Sequence, residues 1–157
     1  MKSLDTPDNK LQTHYLHGCI GAFAGALMGM GLWILLFLAG TIPGTAGLLM
    51  MILSIAGFRL LGKRVSFPAI GICLVLSGIG IYFAHRIGCA IGIMMENDYS
   101  FSESFLGITD FMVDSPEFAS MYWLNLIIGY GALMLALIGV LVRYVWKWVR
   151  ARRKKTL

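Results

Sequence analysis

The chain has 157 residues, 58% of them hydrophobic and only 13% charged, with a formal net charge of +5 at pH 7. A soluble domain carries roughly 25% charged residues, and four apolar runs here match the roughly 20 residues a helix needs to cross a bilayer. An ordinary soluble domain is excluded, and the expected fold is an all-α, polytopic membrane protein with four transmembrane helices, spans at about 15–39, 43–61, 67–95 and 116–149.

Residues 1–14 form a polar N-terminal segment ahead of the transmembrane domain, 15–149. Asp5 and Asp8 stand where a signal peptide would be basic, and the apolar run is longer than a typical signal core, so an uncleaved first helix is expected. LFLAG at 36–40 resembles a lipoprotein box, but Thr41 replaces its cysteine. Cys19, Cys73 and Cys89 all lie in apolar runs, which predicts free buried thiols. His14, His17 and Cys19 do not share one helical face and have no fourth ligand, so neither a metal nor another cofactor is expected.

Lipid provides no hydrophobic drive between helices, so close approach at small residues decides how they pack. The first span repeats Gly18, Gly21, Gly25 and Gly29 at steps of three and four. A very short turn, Gly40–Ile42, makes the second span its antiparallel neighbour. Thr41, Ser66 and Ser115 are each followed within two residues by Pro43, Pro68 or Pro116, a pattern that starts helices two, three and four.

In the third run Gly71, Gly78, Gly88 and Gly92 fall close to one face, with His85 among them. His85 is seventeen residues beyond Pro68, about 26 Å along a helix axis. Against a hydrocarbon core about 30 Å thick, His85 and Arg86 therefore lie near one boundary and not at the midplane. His85 should point into the bundle, as a hydrogen-bonded packing residue or a functional group. Arg86, offset by about 100°, should anchor at the interface or pair with the acidic segment that follows. Cys89 lies one turn beyond His85, but no further ligand accompanies the two.

The segment 96–121 mixes Glu96, Asp98, Glu103, Asp110, Asp114 and Glu117 with aromatic residues. Ser100 and Glu103 match the capping box S-x-x-E. A short amphipathic helix at roughly 101–106, covering the projecting end of the third helix, is expected over a solvated acidic loop. The fourth long helix starts at Pro116 and carries a seam of Asn125, Gly129, Ala132, Ala136, Gly139 and Arg143. Such stripes suit a packed four-helix bundle and also a homo-oligomer or a larger membrane partner. Arg150, Arg152, Arg153, Lys154 and Lys155 in the tail 150–157 suit anionic lipid, at about 1 kcal/mol per residue near the surface. Trp123 at one end of this helix, with Tyr144, Trp146 and Trp148 at the other, suits the two aromatic belts and argues against nucleic acid.

No lysine or arginine lies between Arg86 and Arg143, and no acid follows Glu117. The connection between spans two and three carries Arg59, Lys63 and Arg64. The positive-inside rule then places both termini and the 59–66 connection in the cytoplasm and 96–121 outside.

No acid or lysine lies at mid-membrane, where ion-coupled carriers place them. No HExxH, GxSxG, P-loop or CxxC pattern is present, which argues against an enzyme. The leading expectation is a non-enzymatic interaction or accessory membrane protein. The alternative is an oligomeric channel or transporter using His85, Ser77 and Asn125, with the acidic segment as its mouth.

The glycine-rich first span with Gly21, Gly25, Gly29 and Trp33, the stretch Phe58–Gly62, the pair Asp110–Phe111 and the pair Pro116–Glu117 together resemble a bacterial family of small four-span membrane proteins. The resemblance covers about residues 18–140. It implies a multi-pass protein of the bacterial cytoplasmic membrane and no particular activity. Some members carry an N-terminal zinc ribbon, whose cysteines have no counterpart among Cys19, Cys73 and Cys89.

Overall fold

The computed structural model describes residues 7–41, 44–63 and 65–153. Among these residues five helices follow one another: α1 Pro7–Leu38, α2 Gly44–Gly62, α3 Phe67–Glu96, α4 Phe101–Asp114 and α5 Pro116–Arg153. All except α4 are long and apolar enough to cross a membrane, over His14–Leu38, Gly44–Gly62, Phe67–Glu96 and Pro116–Arg143. No strand occurs among the described residues. This is the economical solution in lipid, because a helix satisfies its own backbone groups where water cannot. α1 begins well before the predicted residue 15, since hydropathy marks the membrane segment and not the helix that extends from it.

The packing contacts give the topology. Gly21 lies against Gly57, Gly25 against Leu53 and Gly29 against Met50, so α1 and α2 run antiparallel. Met30 reaches Gly80 and Phe37 reaches Gly88, so α3 runs parallel to α1. Gly44 meets Ile128 and Gly47 meets Gly129, which sets α5 parallel to α2. Arg59 and Lys63 therefore share one end of the bundle with Arg143 and Arg150, while Glu96 to Glu117 gather at the other.

The expected seams are only partly the observed ones. Of the α3 glycines, Gly88 has Phe37 at 3.0 Å from where a Cβ would stand, and Gly92 has it at 3.9 Å. Gly78 meets Tyr130 at 3.8 Å, at ordinary contact distance. Gly71 is exposed with no neighbour within 4 Å. On α5 the seam holds through Gly129, the half-buried Ala132 and the buried Ala136. It does not continue to Gly139, which is exposed and meets nothing within 4 Å. The alternating steps of four and three repeat slightly faster than a straight helix turns, so the stripe drifts around α5, and no described residue comes within 4 Å at Gly139. Close contacts also involve glycines of α2 and α3 outside the expected stripes, namely Gly47, Gly57 and Gly80.

The helix ends also depart from expectation. α1 closes with a Schellman motif: Gly40 N–H bonds the Phe37 carbonyl, Thr41 N–H bonds that of Leu36, and Gly40 takes φ +70. The Thr41 hydroxyl donates to the same Leu36 carbonyl at 2.7 Å, so it ends α1 and does not start α2. Pro43 lies outside the described residues. Ser66 is the extended N-cap of α3 with proline in the first turn, but its hydroxyl meets Tyr15 Oη at 2.5 Å in place of a backbone amide. Ser115 behaves as expected, its hydroxyl accepting from Phe118 N at 3.3 Å.

α4 is amphipathic but longer than predicted, running to Asp114. Gly107 lies inside it without breaking it, because Ile108, fully buried, fastens the second half. Its capping box is complete: Glu103 N bonds Ser100 Oγ, and Ser100 N bonds Glu103 Oε2 at 2.8 Å. The Ser100 hydroxyl and backbone together hold the Glu103 carboxyl below its ordinary value. A depressed carboxyl stabilises the fold above its unfolded range and loses that contribution as pH falls through the folded one. Acidification should therefore fray the first turn of α4, seen as faster amide exchange at 102–104 than intrinsic chemistry gives. Glu103→Gln keeps an acceptor and should remove that pH dependence.

Candidate functional site: a caged histidine beneath α4

α3 presents Ala84, His85, Gly88 and Cys89 on one buried surface near its α4 end. His85 is fully buried. Its Nε2 lies 3.0 Å from the Tyr122 carbonyl oxygen on α5. Because the carbonyl can only accept, Nε2 carries the hydrogen, and Nδ1 of the neutral ring is an acceptor. Nδ1 has no hydrogen-bond partner among the described residues.

Three aromatic rings surround the imidazole. Tyr122 lies 4.5 Å away between centroids, Phe37 5.8 Å and Trp33 6.1 Å, the last two edge-on at 81° and 80°. Gly88 lets Phe37 approach α3, and Gly129 receives the six-membered edge of Trp33. The fully buried Trp33 also leaves Nε1 without a partner among the described residues. Cys89 Sγ completes the surroundings, 3.8 Å from His85 Nε2. The arrangement clamps α1, α3 and α5 around one polar ring and leaves one buried donor and one buried acceptor without partners among the described residues.

Arg86, next along the chain, turns away. Its Nη2 donates to the Phe105 carbonyl of α4 at 3.0 Å, and its Cζ sits 5.0 Å from the centre of the Phe105 ring. Nη1 reaches the Tyr82 hydroxyl at 3.4 Å. Arg86 thus pins α4 to the bundle, but through a backbone carbonyl and a ring. The expected partnership with an acidic residue does not form among the described residues.

The other two polar candidates stand apart. Ser77 is fully buried and its hydroxyl has no partner among the described residues. It is eight residues before His85, about 12 Å along the axis, with Gly80, Ile81 and Ala84 buried between them. Met50 Sδ closes over Gly80, 2.8 Å from where a Cβ would stand. Asn125 is half-buried on α5. Ser54, also fully buried, spends its hydroxyl on the Ala22 carbonyl at 3.1 Å. No hydrogen bond joins His85, Ser77 and Asn125 to one another among the described residues.

Trp33, Phe37, Tyr122 and Phe105 were not among the expected site residues. Trp33 continues the Gly21–Gly25–Gly29 ladder by one further step of four, a spacing that points to it. At the opposite end Arg150 stacks on Trp146 at 3.6 Å. The side chains of Arg152 and Arg153, and all of Lys154 and Lys155, lie outside the described residues, as do the side chains of Tyr144 and Trp148. Comparison with protein families, curated proteins and solved structures gives no match.

Proposed function

We propose that this chain is a non-enzymatic accessory protein of the membrane, working by contact with other membrane helices. The observation that carries this reading is the isolation of its interior polar groups. Ser77 and His85 are separated along α3 by the buried Gly80, Ile81 and Ala84, and Ser54 donates its hydroxyl to the Ala22 carbonyl. A cargo path through one copy would have to break those contacts. What the bundle offers its surroundings is an apolar belt, including Leu124, Ile127, Met134 and Leu135 of α5.

The proposed orientation puts both basic segments in the cytoplasm and α4 outside, in a bacterial cytoplasmic membrane, following the sorting of charge between the two ends. The resemblance to small four-span proteins belongs to the same proposal, its ladder being the α1 face that packs on α2.

The rival reading, an oligomeric channel with the acidic end as its mouth, is tested in the same preparation. Proteoliposomes, with orientation read by impermeant labelling of Ser102→Cys, should show no sodium, potassium or proton flux above protein-free vesicles. Photo-crosslinkers at Ile127, exposed on α5, should give a discrete heteromeric product in native membranes, and at buried Leu133 none. Flux that responds to His85→Ala would instead establish transport.

A further inference from the structure

Arg86 is the only lysine or arginine between Arg64 and Arg143. Its side chain is half-buried, and its two hydrogen bonds go to neutral acceptors, the Phe105 carbonyl and the Tyr82 hydroxyl. A guanidinium has five N–H donors, so most of its capacity is unspent and its charge is uncompensated among the described residues. This is unexpected at an end of the molecule so rich in acids. The carboxylate nearest in sequence to Phe105, that of Glu103, is turned away into the capping box, bonded to Ser100 Oγ at 2.6 Å.

A half-buried charge without a counter-ion is costly, and more so beside lipid than beside water. Arg86 lies eighteen residues beyond Pro68, about 27 Å along the axis, at the rim of a hydrocarbon core about 30 Å thick. Every phospholipid presents a phosphodiester at that depth. A guanidinium fits such a group better than an ammonium does, because its planar fork bonds two oxygens at once. Tyr82 is exposed on the same surface, and its hydroxyl accepts from Arg86 while keeping its own hydrogen to donate.

We propose that Arg86 and the Tyr82 hydroxyl form a binding site for the phosphodiester of one membrane phospholipid, seated where α3 meets the start of α4. The lipid supplies the counter-ion that the acids do not. The site thereby makes the docking of α4 responsive to the leaflet around it.

The test is native mass spectrometry on delipidated full-length protein titrated with phosphatidylglycerol. Wild type should retain one lipid. Arg86→Gln should weaken retention at least about tenfold, the loss of one charge-assisted hydrogen bond, with Arg86→Lys and Tyr82→Phe losing less. Diacylglycerol, which lacks the phosphate, should not be retained. Arg86→Gln also loosens α4, so Ser100→Ala, which weakens α4 without touching the guanidinium, should keep the lipid. Equal retention by wild type and Arg86→Gln overturns the site. Loss in Ser100→Ala as large as in Arg86→Gln assigns retention to α4 and overturns it too. Displacement of the lipid by millimolar inorganic phosphate would reassign the site to a soluble anion.

Discussion

A single methyl group at Gly57 is expected to cost about 3 kcal/mol or more, the upper end of what overpacking usually costs. A Cβ there would stand 2.0 Å from the Gly21 carbonyl oxygen, and one at Gly21 would stand 2.1 Å from the Gly57 carbonyl oxygen. The relation is reciprocal: each Cα hydrogen points at the other residue's carbonyl, a contact available only to glycine pairs. What a methyl group would strike is backbone held in a helix, which cannot rotate aside as a side chain could. The helices must separate, and the contacts of Gly25 with Leu53 and of Gly29 with Met50 then loosen together. Gly71→Ala and Gly139→Ala are the controls, since neither position has a neighbour within 4 Å. They should stay within about 0.5 kcal/mol of wild type, as exposed substitutions usually do. Reversible unfolding in mixed micelles measures all three. If Gly57→Ala behaves like Gly71→Ala, α1 and α2 do not meet as described.

How much of this was legible depends on whether a feature is local to one helix or shared between two. The number of spans, the start of α3 and the capping box at Ser100 are local, and hydropathy, proline and S-x-x-E reveal them. The inward face of His85 is also local, because a period of 3.6 places it beside Gly88. Its partner is not. That Tyr122 offers a carbonyl, and that Trp33 and Phe37 close the cage, depends on how far α1 and α5 slide against α3. Nothing in a single helix records that offset. The same reason misled the reading of the seams. Gly139 continues the spacing of Ala132 and Ala136, but whether a stripe is covered depends on where neighbouring helices lie. Thr41 and Ser66 show a subtler failure. Each has a capping residue's chemistry, yet a better-placed partner took the hydroxyl: the Leu36 carbonyl in one case, Tyr15 in the other.

The cage and the Arg86 pin divide the work at the α4 end. His85 holds α5 against α3 through a polar bond enclosed by rings. Arg86 holds α4 against α3 from the rim, through the Phe105 carbonyl. The two are adjacent in sequence, so one turn of α3 fastens both later helices. Rotation by about 100° per residue sends one side chain inward and the other outward.

Trp33 sets the spacing of that junction, and its removal should be the most damaging single truncation. It is the largest fully buried side chain, and its Cη2 lies 2.3 Å from where a Cβ on Gly129 would stand. Trp33→Ala is expected to cost about 3–5 kcal/mol, the usual range for deleting a buried aromatic ring. Gly129→Ala should cost about 1–3 kcal/mol by overpacking, because a fully buried ring has no room to retreat. The two effects should not add. Trp33→Phe withdraws the six-membered edge from α5 and leaves a space that the methyl group introduced by Gly129→Ala can occupy. It also removes a buried Nε1 that has no partner among the described residues, so no hydrogen bond seen in the structure is lost with it. The double variant Trp33→Phe with Gly129→Ala should therefore be more stable than the sum of the singles predicts, by about 1 kcal/mol or more, within the range measured for residues in contact. Unfolding free energies for the four members of the cycle decide it. Strict additivity would mean that Trp33 does not rest on Gly129, and the cage around His85 would lose the wall that α1 provides.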